Sequence, residues 1–434
     1  MASSAQPSKP TRIVFLTRDP VVHQQGGSTT YALGLLQLLR AHGAEVTLVA
    51  TTAFSRSPRL FFKLATAPPE GITLRFPGYL FFAGYFVCPF NLKAWARMVS
   101  RIATRKSWLR PLQKGLERLF GAGLFTGAWD LNPPAAEETA LAVHEVERAG
   151  ATVVLTNYCF WGPLLSDERL SGLRTAILMH DLLSTRVARF QAAGLPLDCP
   201  AITQADEMDW LSRADTVLAA QEREAEVIRP QVQSIVLVTP VLLWPQALEE
   251  ALMVPGRCLF VGSNILPNQT GLQFLLEAVW PRVRAEIPEA TLAVAGTIGH
   301  ALGSLLGDGN ASTGLRSLGV EKLGVVPSLE QEYARASVCL VPLLLGTGIK
   351  IKLLEALGYG KAIVSTSTGI QGLEIWAPET VTVADEAETF AEAIVRLLRD
   401  HKLRREREGA ALRLAGEHFG PTRALEAEFI SALL

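Results

Sequence analysis

The sequence predicts an α/β chain built from two parallel-sheet halves, and three observations carry that prediction. Short apolar, β-branched runs alternate with helical patterns in two separate series. A proline-bearing segment divides the series, and 434 residues exceed what one core organises. Apolar residues make up 49%, charged residues 19%, and mean hydropathy is +0.23, which excludes a disordered chain. With 41 Lys and Arg against 42 Asp and Glu, the net charge of -1 argues against a polycation that coats nucleic acid. The cysteines Cys88, Cys159, Cys199, Cys258 and Cys339 form no CxxC pair, so a disulfide framework and a zinc site are not expected. The opening MASSAQPSKPTR is polar and Ile13–Leu16 is too short for a signal peptide. No apolar stretch reaches the roughly 18 residues of a spanning helix. The expectation is a cytoplasmic protein, either soluble or peripheral on the inner face of a membrane.

The first series starts with the strand Arg12–Thr17, a loop containing Gly26 and Gly27, and a helix from Thr30 to Arg40 with Leu33, Leu36 and Leu39 at helical spacing. The turn His42-Gly43 leads to the strand Glu45–Thr51. Further strands are expected at Ala151–Thr156, Thr175–Met179, Thr216–Ala219 and Ser234–Val238, with helices at Glu137–Ala149 and Ala205–Ser212. Thr239–Gly256, with three prolines, reads as a linker. The second series runs through the strand Arg257–Val261, the helix Gly271–Ala285, the strand Ala290–Ala295 and a short strand within Gly319–Val326. It continues through the helix Glu330–Ala336, the strand Val338–Pro342, the helix Lys350–Gly358 and the strand Ala362–Thr366. Glu386–Leu434 is helical and charge-rich, with Lys402–Arg407 a solvated face.

Residues 56–130 interrupt the alternation. Gly78–Phe90 is aromatic, and Asn91–Phe120 holds eight Lys or Arg against the single acid Glu117. Lys93, Arg97, Arg101 and Arg105 recur every four residues, while Trp95, Met98 and Ile102 form a separate apolar stripe. Two readings stand: a helix whose stripe packs on its own domain with arginines in water, or a surface facing anionic lipid.

The most informative chemistry lies in residues 338–366. A strand ends at Pro342, Gly346 and Gly348 permit close backbone approach, and a helix starts near Ile349. Free amides and the positive dipole end make that start an anion site. Lys350 and Lys352 place like charge at the same end, which points to a negative ligand such as a diphosphate. Glu355, one turn after Lys352, either bonds sugar hydroxyls or pairs with that lysine. His180 follows the apolar run Ala176–Met179 at the carboxyl end of a strand, where doubly wound sheets bind ligands. It reads either as a hydrogen-bonding group for a sugar hydroxyl or departing phosphate, or as a sheet cap through Asp181.

This segment resembles the donor-site signature of the retaining GT-B glycosyltransferases of family four. The likeness continues through Leu259–Ser263 with Pro267-Asn268, Val294–Gly296, and Gly324–Leu329 with Tyr333 and Ala336, covering nearly all of residues 257–375. It implies the GT-B fold, two Rossmann-like doubly wound domains facing across a cleft. Residues 1–245, with the 56–130 insertion, would form the acceptor-binding domain. Residues 246–410 would bind the nucleotide sugar, and 411–434 would be a helix packing back on the first domain. The implied donor-binding residues are Gly26, Gly27, Gly262, Asn268, Gly296, Val326, Thr347, Gly348, Ile349 and Glu355, with Glu355 on the ribose hydroxyls. The resemblance implies His180 as a catalytic residue, and Lys352 and Lys350 join it by inference from the helix start. Asp19, His23 and Asp181, with Arg18 as a further contact, read as the acceptor side from their places at strand ends and beside the glycine loop.

Two departures from the family pattern stand out. Thr347 occupies the place of a glutamate that touches the transferred sugar, and Gly262–Leu272 lacks the usual basic pair on the diphosphate, which leaves Lys350 and Lys352 as substitutes. No Asp-x-Asp motif is present, so neither a metal nor another cofactor is expected. The implied partners are a nucleotide sugar and a saccharide or lipid-linked acceptor, with no nucleic acid. An epimerase of the same fold and a non-catalytic sugar-nucleotide-binding subunit at a membrane are the alternatives. A dehydrogenase is disfavoured because no GxGxxG follows either first strand.

Overall fold

The computed structural model describes residues 10–18, 27–55, 58–64, 70–103, 110–120, 130–197, 199–239, 241–305, 315–420, 428 and 431–434. Ten strands precede residue 240: β1 (Arg12–Thr17), β2 (Glu45–Ala50), β3 (Phe61–Phe62), β4 (Ile72–Arg75), β5 (Leu80–Phe82), β6 (Tyr85–Val87), β7 (Val153–Asn157), β8 (Arg174–Leu178), β9 (Thr216–Ala219) and β10 (Ile235–Val238). Six follow: β11 (Arg257–Val261), β12 (Thr291–Ala295), β13 (Val320–Gly324), β14 (Val338–Val341), β15 (Ala362–Ser365) and β16 (Val381–Val383).

Seven strands form the first sheet in the order β10-β9-β8-β7-β1-β2-β4, and six form the second as β13-β12-β11-β14-β15-β16. Every pairing within both sheets is parallel. The central strands are covered on both faces, which is why they read as unbroken apolar runs; Val14, Phe15 and Leu16 are fully buried. In each sheet the order reverses beside the first strand, with β2 and β7 flanking β1 and β12 and β14 flanking β11. Crevices at the carboxyl ends of the strands open at such reversals.

Local chemistry sets the helix ends. The helix Gly27–Ala41 buries Leu35, Leu36 and Leu39 and stops at a turn whose Gly43 has φ 86°. The helix Ala136–Ala149 closes on Gly150 in the left-handed region. Thr203 and Asp206 form a reciprocal cap on the helix Gln204–Leu211. The second domain's first helix begins at Leu266, earlier than the expected Gly271, because Pro267 suits a helix's first turn. Asp400 divides the last long helical region into Ala387–Arg399 and His401–Leu414 by capping the latter.

Residues 56–130 depart most from expectation. β4 joins the main sheet beside β2, so the interruption contains an edge strand of the first domain. The aromatic segment forms a separate antiparallel sheet in the order β3-β6-β5, followed by the helix Leu92–Ala103. Arg105 of the four-residue repeat lies outside the described residues. Backbone bonds from Leu243 N to Phe419 O and from Gln246 N to Gly358 O tie the linker to the second domain. At the chain's end, Arg174 of the first domain donates to Leu434 O at 3.1 Å. Among the described residues no helix is long and apolar enough to cross a membrane.

Candidate functional site

The two domains meet at two helix starts. Gly27 opens the first-domain helix, and a side chain there would lie 2.4 Å from Ile351 Cγ1, at the start of the second-domain helix Ile351–Gly358. Neither helix carries an acid in its first turn, and no side chain caps the Ile351 helix. Two positive dipole ends therefore converge, neither offset by an acid in its own first turn.

Around that junction the second domain supplies Lys352 and Glu355. Lys352 Nζ donates to Asn268 Oδ1 at 2.6 Å and lies 4.8 Å from the Phe260 ring centre. Burial, helped by nearby Lys350, lowers its pKa to about 7. Asn268 in turn donates to Ser263 O at 2.8 Å, so the buried amide fixes the lysine's direction. Glu355 accepts from the Tyr333 hydroxyl at 3.2 Å and from Thr30, across the domain boundary, at 3.4 Å. Desolvation raises its pKa to about 7.

Lys350 plays a different part from the one expected. Its ammonium donates to Thr347 O at 3.0 Å, Gly348 O at 2.6 Å and Gln371 Oε1 at 3.3 Å. The two carbonyl bonds fold the glycine loop around the ammonium, and burial lowers its pKa to about 8.

That loop reaches the first domain. Thr347 Oγ1 donates to Asp181 Oδ2 at 2.9 Å, and Arg189 donates to Gly346 O at 2.9 Å. Gly348 has φ +69°, and a side chain there would press on Asp181 Cβ at 3.0 Å. Asp181 also accepts from Arg186 at 3.1 Å, so its carboxylate is engaged with protein rather than open to an acceptor.

His180 stands beside this contact. Its Nε2 is 2.7 Å from Asn157 Oδ1, while Asn157 Nδ2 donates to Thr17 Oγ1 at 3.2 Å. This network assigns the proton to Nε2 and leaves Nδ1 as the acceptor edge. The rings of Tyr31 and Tyr158 flank the imidazole at 5.4 and 4.2 Å, and burial lowers its pKa to about 3. His180 is thus a neutral hydrogen-bonding group across the physiological range, with its N–H already used.

The remaining expected residues divide. Gly262 and Gly296 join the ends of β11 and β12; a side chain on Gly296, at φ +97°, would fall 2.2 Å from Gly262 O, so both serve backbone packing. Val326 is half-buried just beyond β13, and Ile349 packs toward Gly372. Asp19, His23 and Gly26 lie outside the described residues. Arg18 is buried in a fork on Glu138 at 2.9 and 2.7 Å, with Asp130 at 3.3 Å, which gives it a structural role in place of acceptor contact. Among the described residues no group of three or more His, Cys, Asp or Glu is arranged to hold a metal ion. A cavity of about 320 Å³ lies elsewhere on the first domain, lined by Leu131, Leu183, Ile202 and Trp210.

Thr30, Asn157 and Arg189 escaped the sequence reading because they join the site only through tertiary contact. One signal was available for the lysines. Positions two apart on a helix point about 200° apart, which separates Lys350 from Lys352, although the sequence reading set both on one diphosphate.

Comparison with known proteins fits this geometry. Residues 255–400 match the family model described as Glycosyl transferases group 1. That match lies within the second domain and spans about a third of the chain. A curated relative, an uncharacterized 44.6 kDa protein in the cps region of Klebsiella pneumoniae, is 31% identical over 144 residues. That match spans 32% of this chain and 36% of the relative, so about a third of each. The whole chain is similar in structure to a sucrose-phosphate synthase from Thermosynechococcus elongatus, at TM-score 0.61 and 16% identity over 97% of this chain and 98% of the other. It is also similar to a variant of S. aureus TarM in complex with Fondaparinux, alpha-GlcNAc-glycerol and UDP, at TM-score 0.63 and 9% identity over 98% and 99%. The two domains together make the GT-B fold.

Proposed function

We propose that this chain transfers a sugar from a nucleoside diphosphate sugar to a saccharide or lipid-linked acceptor with retained anomeric configuration. Residues 246–410 hold the donor and residues 1–245 the acceptor. The observation that carries this reading is the meeting of two helix starts, Gly27 against Ile351, neither with an acid in its first turn, beside Lys352 and with Glu355 one turn further along. A diphosphate is the ligand such a junction suits, because charge that develops on its leaving oxygen meets preorganised positive ends.

In this reading the bond from the anomeric carbon to the diphosphate oxygen breaks on the face where the acceptor hydroxyl attacks. The acceptor's proton passes to the departing phosphate oxygen, so no protein nucleophile enters. Lys352 and the helix amides stabilise the diphosphate, and Glu355 accepts from ribose hydroxyls. His180, neutral and with Nδ1 as its acceptor edge, takes a hydrogen bond from a sugar hydroxyl and does not act as an acid. The relative from a cps region favours a polysaccharide product. The UDP held by the TarM variant makes uridine the first base to examine.

The test is a thermal-shift and turnover panel of UDP-, GDP-, ADP- and TDP-sugars. One base should raise the melting temperature, and nucleotide should appear only when acceptor is supplied. Nucleotide release and sugar isomerisation without acceptor would favour an epimerase, and no shift with any donor would refute the reading.

A further inference from the structure

We infer that the small sheet β3-β6-β5 and the helix Leu92–Ala103 form one platform that docks on an anionic phospholipid bilayer. The pairing register sets Leu80 opposite Val87, Phe82 opposite Tyr85 and Phe61 opposite Val87. Period-two alternation then puts Phe61, Leu80, Phe82, Tyr85 and Val87 on one face and Phe62, Phe81 and Phe86 on the other. The second face meets the domain through Phe62 and Phe86, with Phe62 stacked on Phe86 at 5.1 Å and Phe76 meeting Phe86 at 4.6 Å. Phe81 at its edge is 68% exposed and adds to the open apolar surface.

The first face has no such cover among the described residues. Phe61 is 55% exposed, Leu80 58%, Phe82 75% and Tyr85 44%. An antiparallel sheet with one face in water ordinarily carries polar residues there. The turn between β5 and β6 has positive φ at both Ala83 and Gly84, the tight two-residue form that keeps Phe82 and Tyr85 side by side.

The patch continues into the helix. Phe90 is 90% exposed and Leu92 73%. The helix buries its small residues, Ala94, Ala96, Ser100 and Ala103, and turns Leu92, Trp95 and Ile102 outward. This arrangement inverts the packed-stripe reading, in which the large apolar residues would face the domain.

Charge selects the occupant. Lys63, Lys93 and Arg101 are exposed around the rings, and Asn91–Phe120 contains Glu117 as its only acid. Aromatic rings beside basic side chains match the boundary between acyl chains and anionic headgroups, where apolar stems sink and charged tips meet phosphates. The inference deepens the acceptor side of the proposed function, since a lipid-linked acceptor would be met at that bilayer. Its test uses no nucleotide sugar and so fails or succeeds independently of the donor reading.

The full chain is sedimented with vesicles of equal phosphatidylglycerol and phosphatidylcholine, and with phosphatidylcholine alone, at low and high salt. It should partition onto the mixed vesicles at low salt and leave them as salt rises. Phe82→Ser with Phe90→Ser should weaken partitioning roughly tenfold or more. Lys93→Glu with Arg101→Glu should weaken it by at least roughly fivefold per cation. All four positions are exposed or at the surface, so melting curves should stay unchanged. Emission from wild-type protein should shift to the blue on the mixed vesicles, and Trp95→Phe should remove that shift. Absence of wild-type binding, or undiminished binding of the Phe82/Phe90 variant, would overturn the inference. So would a dimer in vesicle-free solution that the same variant dissolves, which would assign the face to a second copy.

Discussion

Nucleotide binding should take up a proton, and Lys352 is the group that takes it. Its free-state pKa of about 7 means that about one-tenth of molecules carry the charge at pH 8. A diphosphate seated against the ammonium favours the charged form and moves that pKa well above 8. Binding at pH 8 should then absorb about 0.9 proton, and the weakening between pH 6.5 and 8.5 should be about 25-fold. Each pH unit in the steep range corresponds to about 1.4 kcal/mol. Glu355 titrates in the same range with the opposite sign, because ribose hydroxyls favour its carboxylate. The measurement is therefore made in wild type and in Glu355→Gln.

Calorimetry of UDP binding in phosphate and in Tris reads the proton directly, as a difference in apparent enthalpy between buffers of different ionisation heat. In the Glu355→Gln background, Lys352→Arg keeps its charge at every accessible pH and should lose both the buffer dependence and the slope. Lys352→Met should lose them too, and bind at least roughly tenfold more weakly at pH 6.5. If Glu355→Gln shows equal enthalpies in the two buffers and an affinity independent of pH, Lys352 does not meet the diphosphate.

Three further outcomes follow from the same geometry. Gly27→Val should raise the donor KM roughly tenfold or more by wedging the helix starts apart, and Ile351→Ala in the same chain should restore much of it, as steady-state kinetics will show. Asn157→Asp places a carboxylate on His180 Nε2 and raises the imidazole pKa, so in the Glu355→Gln background the pH–rate profile should gain an acid limb that the parent variant lacks above pH 5. For Glu355, a folded-state pKa of about 7 against an unfolded value of 4.5 means that stability falls as pH rises from 4.5 through 7. Glu355→Gln should remove that fall and gain about 1–3 kcal/mol at pH 8 in denaturant melts, while nucleotide affinity drops.

Much of the scaffold was legible because parallel strands covered on both faces leave continuous apolar runs, as in Ile13–Leu16 and Cys258–Val261. β4 was not: Ile72-Thr-Leu-Arg75 is a short edge strand paired on one side, and its pattern carries too few apolar residues to stand out beside the aromatic segment. The loop and helix start at 346–358 were legible because Gly346, Gly348, Lys352 and Glu355 lie within one strand–loop–helix unit. Asn157, Thr30 and Arg189 were not, since each gains its place from a partner between 23 and 325 positions away. The helix Leu92–Ala103 was recognised as amphipathic, but which face it buried depended on how closely it approached the domain. Alanines and Ser100 permit that close approach, and larger side chains would not.

The place where β4 attaches has an evolutionary consequence. The aromatic sheet and the basic helix hang from the outer end of the first sheet, beyond β2, while the Gly27–Ile351 contact lies at its centre and in the other domain. This edge spans residues 61–103, and no strand within it pairs with β1, β7, β8, β9 or β10. A lineage can therefore rebuild the edge while it inherits those central pairings unaltered.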